Sequence, residues 1–378
     1  MPIITLIFLC ITLSADLASV IILVNNLRCF DPLERESMEK LYPRVDILVP
    51  ARNEDNNIEK CVESLLAQDY PDFTVTVLDD ASTDNTPDIL ERLSRKAPRL
   101  KIMHGKKIGD NWQGKNWACH QLFDVSMAGL ILFTDADTIH GPETLRLAVS
   151  ALMNKKADCI TVYPRQHATG FWERAILANV FCVQLLYIAF FSKRRVNMNG
   201  QYMLFRRDVY EEIGGHESIR NHLVDDMSLG RLMKDHGYSV ILLNGKNHVT
   251  CRMYESAKHA FHGFARLLFP SFDYRVLPFI WIWYWLGFSS LYPLLIIPFS
   301  MYNGWILSTI LSIACVTITF TTTLFAFHRL GFNWWLFIAF PITIVVNIII
   351  AFTSLFKTIS KRTTWKGRIM PSHKIRWA

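Results

Sequence analysis

Three acidic pairs stand out by residue type and spacing: Asp79-Asp80, Asp135 and Asp137 with one residue between them, and Asp225-Asp226. On an extended segment residues i and i+2 point to the same side. Two carboxylates on one side repel unless one takes up a proton or a cation sits between them. Hard oxygen ligands of this kind suit magnesium or manganese, ions that bridge readily to a diphosphate. A solvated acidic turn capping the next helix is the alternative for Asp135 and Asp137. For Asp225-Asp226 the alternative is also capping, because anions are favoured at a helix start. Its chemical reading is a general base for an incoming hydroxyl.

A fourth feature, Gly109 to Gly114-Lys115-Asn116, has the GxxxxGK spacing of a phosphate-binding loop. Such a loop needs Ser or Thr next, to hold magnesium, and Asn116 stands there. Trp112 would also crowd a small phosphate cradle. A P-loop ATPase is therefore disfavoured, while Lys115 stays free to meet phosphate by another geometry. No GxGxxG occurs, so a dinucleotide oxidoreductase has no footing.

The elements around these residues alternate between strand and helix signals over residues 31–270. Val45–Val49, Thr74–Leu78, Lys101–His104, Leu130–Thr134 and Asp158–Tyr163 read as strands. Helices are expected after Asn53 or Asp55, from Pro87, and over Pro142–Asn154. This rhythm predicts an α/β fold with a mostly parallel sheet between helices. In such sheets ligands bind outside the carboxyl ends of the strands. The first two acidic pairs follow directly on Leu78 and Thr134, at two of those ends.

The 378-residue chain is 51% hydrophobic and only 19% charged. A soluble domain carries about 25% charge, so a purely soluble enzyme is disfavoured. Residues 3–24 read as an uncleaved N-terminal anchor (1–27), with the domain after Arg28 facing the cytoplasm. The runs 277–300, 304–327 and 333–356 are each long enough to cross about 30 Å of hydrocarbon. They form a C-terminal membrane region, 277–356, followed by a basic tail, 357–378. Three crossings would leave that tail outside, against the positive-inside rule. The run 277–300, with Pro278, Pro293 and Pro298, is the one expected to lie in the interface or re-enter. Ala175–Phe191 reads as a buried or interfacial helix.

No acidic residue follows Asp273, and the seven cations from Lys357 onward equal the net charge of +7. Basic residues are not spread over a folded domain, which argues against nucleic acid as a partner. The tail reads as a segment facing anionic lipid or a phosphate-bearing substrate. Eight cysteines without a CxxC pair indicate neither a disulfide framework nor a zinc site.

The motifs taken together resemble family 2 glycosyltransferases with a GT-A fold. PARNED at 50–55 resembles the opening nucleotide-binding strand and turn. LDDASTD at 78–84 resembles the family's DDGSTD, with Ala81 in place of Gly. NWQGKNWA at 111–118 and TDADT at 134–138 resemble the W-x-GK-x-x-A segment of the lipid-glycosylating branch and the metal DxD. NGQYMLFRRDVYEEIGGHE at 199–217 resembles the acceptor-side segment. VDDMSLG at 224–230 resembles ED-x-x-LG, and TWKGR at 364–368 a tail segment of carotenoid glycosyltransferases. The nearest branch looks like the diaponeurosporenoate glycosyltransferases of carotenoid synthesis, related to ceramide glucosyltransferases. The polymerising members' Q-x-x-R-W is not matched: HGFARLLF at 262–269 offers Arg266 but Leu267 in place of Trp.

The resemblance implies a membrane-bound, multi-pass enzyme of the cell membrane that moves a sugar, glucose by default, from a UDP-sugar to a lipid. It implies roles residue by residue. Pro50, Arg52, Glu54, Asp79, Asp80, Lys115, Asp135 and Arg266 would bind the nucleotide sugar, Asp79 and Asp80 at uracil or ribose. Asp135 and Asp137 would hold Mg2+ or Mn2+. Gly200, Gln201 and Asp225 would lie on the acceptor side, and Asp226 would be the catalytic base. Lys366 or Arg368 would add positive charge at the leaving group. A polysaccharide synthase and a non-catalytic membrane scaffold or sugar-nucleotide sensor are the competing readings.

Overall fold

Buried apolar runs set the strands of the computed structural model, which describes residues 2–34, 42–187, 191–192, 195–361, 363–366, 368–370 and 373–377. After helix α1 (Pro2–Arg28) come β1 (Val45–Ala51), α2 (Ile58–Leu66), β2 (Phe73–Asp79), α3 (Thr86–Ser94), β3 (Leu100–His104), α4 (Gly114–Val125) and β4 (Leu130–Thr134). Then follow β5 (Thr138–His140), α5 (Thr144–Asn154), β6 (Cys159–Tyr163), β7 (Arg165–Gln166) and α6 (Phe171–Tyr187). A short pair, β8 (Phe191–Ser192) and β9 (Arg195–Val196), precedes β10 (Tyr202–Arg206), α7 (Arg207–Glu212), α8 (Gly215–Ser218) and α9 (Asp225–Asp235). The domain closes with β11 (Val240–Asn244), β12 (Val249–Cys251) and α10 (Ala257–Leu267).

Seven strands form one sheet in the order β11-β6-β10-β4-β1-β2-β3. All neighbours are parallel except β10, which runs antiparallel to both β4 and β6. The sheet is covered on both faces, so its strands read as continuous apolar runs. Successive side chains still alternate between faces. Val45, Ile47 and Val49 join one core with α2, α3 and α5, while Leu48 joins the other with α4, α7 and α9. A second sheet, β5-β12-β7, grips the chain just after Asp137.

Among the described residues, four helices are long and apolar enough to cross a membrane. They include α1, α11 (Val276–Tyr302), α12 (Ile306–Leu330) and α13 (Phe340–Ile359), the last extended by the 3-10 turn Trp334–Ala339. α11 is continuous through Pro293 and Pro298, and at its far end Ser300 pairs with Thr309 of α12 across 2.8 Å. α12 returns to the domain, where Lys246 donates to the His328 carbonyl and Asn244 to that of Arg329, both at 3.2 Å.

α13 also ends at the domain. The Phe269 N–H donates to Ser354 Oγ at 3.0 Å, and Lys366 beyond it reaches Glu54. Both ends of 331–361 thus meet the domain. The prolines of 277–300 do not break α11, whose side chains pack on α12 and α1. Beyond α13, Lys366 and Arg368 of the tail contact the domain.

One apolar core joins α6 and α10 to α11, α12 and α13. Phe269 and Phe279 are fully buried at this junction, and burial of each such side chain stabilises by roughly 1.5–3 kcal/mol. The run Ala175–Phe191 is helical as far as Tyr187, in α6, which is buried between the domain and the apolar helices, while Phe191 begins β8. Residues 188–190 of that run lie outside the described residues.

Candidate active site

The acidic pairs converge on one cavity of about 680 Å3. Its walls include Pro50, Arg52, Glu54, Asp80, Lys115, Asp135, Asp137, Gly200, Gln201, Asp225, Asp226 and Arg266. Of the residues assigned from sequence Asp79 and Arg368 do not line the wall, and Arg368 pairs with Asp80, which does. Asp79 has a different place. It is buried below, where Oδ1 accepts the Ser82 N–H at 3.2 Å and holds the loop after β2.

The loops after β1 and β2 are knitted together. Asn53 N donates to Ser82 Oγ at 2.9 Å, and Thr83 N donates to Asn53 Oδ1 at 2.8 Å. Arg52 donates to the carbonyls of Asp80 and Ala81. Ala81 has φ +53°, a left-handed conformation that glycine adopts without strain. That is the physical reason the resembling motif carries Gly there.

Asp135 and Asp137 do not lie on an extended segment. They occupy the turn between β4 and β5, and the turn, not the strand pleat, brings both to the cavity. Thr138 fixes it, its N–H and Oγ1 donating to the Asp135 carbonyl at 3.3 and 2.7 Å. Behind Asp137 runs a buried polar chain. Gln166 donates to Gln201 Oε1 at 2.9 Å, Gln201 to Cys251 Sγ at 2.9 Å, and Cys251 to Asp137 Oδ1 at 3.4 Å.

β10 enters the sheet antiparallel and delivers Gly200 to the first turn of α9. Gly200 N donates to Asp226 Oδ2 at 3.0 Å, and Met227 N to Oδ1 at 2.7 Å. A Cβ at Gly200 would come within 3.4 Å of Lys115 Nζ. Lys115, in the first turn of α4, bridges two acidic pairs: Nζ lies 2.8 Å from Asp135 and 3.1 Å from Asp225. Asp225 is backed by His216 at 3.9 Å, and the His216 ring is held by Tyr210 Oη at 2.5 Å. Gly214 and Gly215 both have positive φ, and a Cβ on Gly215 would strike the Tyr210 ring. This explains the GGH sequence: it packs His216 behind Asp225.

Charge is distributed unevenly. Burial opposes ionisation of Asp225, yet the Lys115 ammonium and His216 hold its carboxyl below the usual range. Burial, then the Asp225 charge, pushes Asp226 up to about 7. Burial, then the charges of Asp135 and Glu54, pushes Asp137 up to about 7. Burial disfavours the Lys115 cation, but Asp135 and Asp225 keep it well above its ordinary value. Lys115 therefore stays charged.

Among the described residues no group of three or more His, Cys, Asp or Glu forms a complete metal site. Asp135 and Asp137 do suit a divalent ion. They are hard oxygen donors in an excess of negative charge, and the other ligands of such an ion would come from a diphosphate and water.

The tail supplies contacts that motif reading placed only loosely. Lys366 pairs with Glu54, and Arg368 forks onto Asp80, Nη1 to Oδ2 at 2.5 Å and Nη2 to Oδ1 at 3.1 Å. These two cations face carboxylates of the domain rather than a membrane surface. Arg362 of the tail and Gly367 of TWKGR lie outside the described residues. The cavity is also lined by apolar side chains, among them Val180 and Phe181 of α6 and Phe264 and Leu267 of α10.

Residues 46–214 match the family model "Glycosyl transferase family 2". A 4,4'-diaponeurosporenoate glycosyltransferase of Staphylococcus aureus is 26% identical over 232 residues, 59% of this chain and 60% of the relative's length. The mannosyltransferase PcManGT of Pyrobaculum calidifontis, solved with GDP-Man and Mn2+, superposes with a TM-score of 0.56 at 18% identity. The alignment covers 93% of this chain and 98% of that one, so the shared fold includes the helices outside the sheet domain.

Proposed function

We propose, with a glycosyl transferase family 2 domain over residues 46–214 as the premise, that this chain transfers one sugar from a UDP-sugar to a lipid, with inversion at the anomeric carbon. One observation carries the reading: the cavity that holds the acidic groups and Lys115 is also lined by Val180, Phe181 and Phe264, which belong to the apolar core shared with α11, α12 and α13. A soluble acceptor gives no reason for that lining.

In this reading Asp80, supported by Asp79, and the Pro50, Arg52 and Glu54 loop receive the nucleoside. Asp135 and Asp137 hold Mg2+ or Mn2+, which neutralises charge on the leaving diphosphate when bound. Lys115 and Arg266 add fixed positive charge there. Gly200, Gln201 and Asp225 shape the acceptor side. Asp226 takes the acceptor's proton as its hydroxyl attacks, a task suited to a carboxylate poised near neutrality. By similarity to the staphylococcal relative, a carotenoid acid or alcohol is the acceptor class and glucose the default sugar. The domain-side helix ends carry Arg28 and Arg329, which supports a domain on the cytoplasmic face of the cell membrane.

The test uses membranes containing the full chain, UDP-glucose, Mn2+ and a total lipid extract, beside Asp226→Asn. UDP release with one hexose added to a lipid, lost in the variant, is the expected result. A wild-type chain that binds no UDP would overturn it.

A further inference from the structure

The tail forms a strap across the mouth of the cavity. Its hairpin, β13 (Thr364–Trp365) with β14 (Arg368–Ile369), turns at Lys366, whose φ is +43°. That turn points two cations at the nucleotide end of the site. Lys366 meets the Glu54 carboxylate and the Arg52 carbonyl, and Arg52 Nε donates back to the Lys366 carbonyl at 3.4 Å. Arg368 takes both oxygens of Asp80, whose side chain is 6% exposed. Farther along, His373 stacks on Tyr274 at 4.3 Å, and Arg376 N donates to the Tyr274 carbonyl at 2.9 Å. The strap is thus anchored beyond the cavity as well as within it.

A carboxylate whose two oxygens are both held by one guanidinium has little left for a nucleoside N–H or O–H. A nucleoside diphosphate, however, brings its own anions into the same cavity, which Lys366 also lines. Arg and Lys are suited to phosphate as well as to carboxylate. We propose that Arg368 and Lys366 exchange partners on donor binding, leaving Asp80 and Glu54 for the diphosphate. The strap is then a donor-binding element whose cations otherwise rest on the site's own acidic residues. This rests on the UDP-sugar reading above.

The exchange makes a prediction that a merely structural tail does not. Uridine competes with Arg368 for Asp80 and offers nothing in return, whereas UDP offers phosphate. Uridine and UDP are therefore titrated calorimetrically, with Mn2+, against the detergent-solubilised full chain. The variants are Arg368→Ala, Arg368→Lys and Lys366→Ala, with Lys374→Ala as the exposed tail control. Arg368→Ala is expected to bind uridine more tightly and UDP no better, lowering the UDP-over-uridine preference about tenfold. Arg368→Lys restores most of that preference, Lys366→Ala lowers it in the same direction, and Lys374→Ala leaves it unchanged. Equal shifts for both ligands, or none, in Arg368→Ala and Lys366→Ala would overturn the exchange while leaving the UDP-sugar reading intact. Failure of the wild-type chain and all variants to bind either ligand would instead overturn that reading, and the exchange with it.

Discussion

Lys115 Nζ lies 2.8 Å from Asp135 Oδ1, and the same ammonium reaches Asp225 at 3.1 Å. One cation thus joins the acidic turn after β4 to the start of α9. Replacing it with Ala leaves two carboxylates facing each other without a counter-charge. Lys115→Ala should slow transfer by about 10²–10³-fold, the range for losing one preorganised electrostatic donor. Initial rates of UDP release at saturating donor check this, and a change in KM alone would count against it.

Asp226 distinguishes acceptor chemistries. An alcohol must lose its proton as it attacks, whereas a carboxylate acceptor is already ionised. Asp226→Asn should cost about 10²–10⁴-fold with an alcohol lipid and clearly less with a carotenoid acid. Parallel assays with the two acceptors read the difference, and equal losses would remove Asp226 from the role of base.

The same residue sets a pH dependence. Burial and the Asp225 charge raise its pKa to about 7. The protonated form cannot accept a proton, so the rate with an alcohol acceptor should fall as pH drops through about 7 and level off above it. A kcat profile between pH 5 and 9 tests this. Persistence of the same acid limb in Asp226→Asn would assign it to another group.

Ala81 is exposed and left-handed, at φ +53°. That conformation costs a non-glycine residue about 1–2 kcal/mol, and glycine gives back about 0.5–1 kcal/mol through the unfolded chain. Ala81→Gly should therefore stabilise the domain by about 0.5 kcal/mol and raise Tm slightly. A lowered Tm in thermal unfolding would contradict the strain argument.

The placement of the helices can be read by labelling. Single cysteines replacing Asn303, His328 and Lys374 are offered a membrane-impermeant maleimide in sealed, oriented vesicles. Asn303→Cys should react from the side opposite the domain, and His328→Cys and Lys374→Cys from the domain side. Reaction of Lys374→Cys together with Asn303→Cys would make 333–356 a true crossing.

The sequence by itself determined the alternation of strand and helix, the acidic pairs at the ends of β2 and β4, and the apolar runs. These depend on short-range periodicity: an apolar strand carries its own pattern, and a polar cluster after it marks its end. Asp225-Asp226 at the start of α9 was legible in the same way. Tertiary structure alone decided the rest. β10 slips antiparallel between β4 and β6, and only that insertion sets Gly200 against Asp226. Cys251 backs Asp137 without any motif to announce it, and Gln201, expected on the acceptor side, has its amide on Cys251. Pro293 and Pro298 do not interrupt α11, which packs on α12, and both ends of 331–361 meet the domain. Arg368 and Asp80 meet across 288 residues of chain. No local pattern encodes such a pair, because its existence depends on where every intervening element has packed.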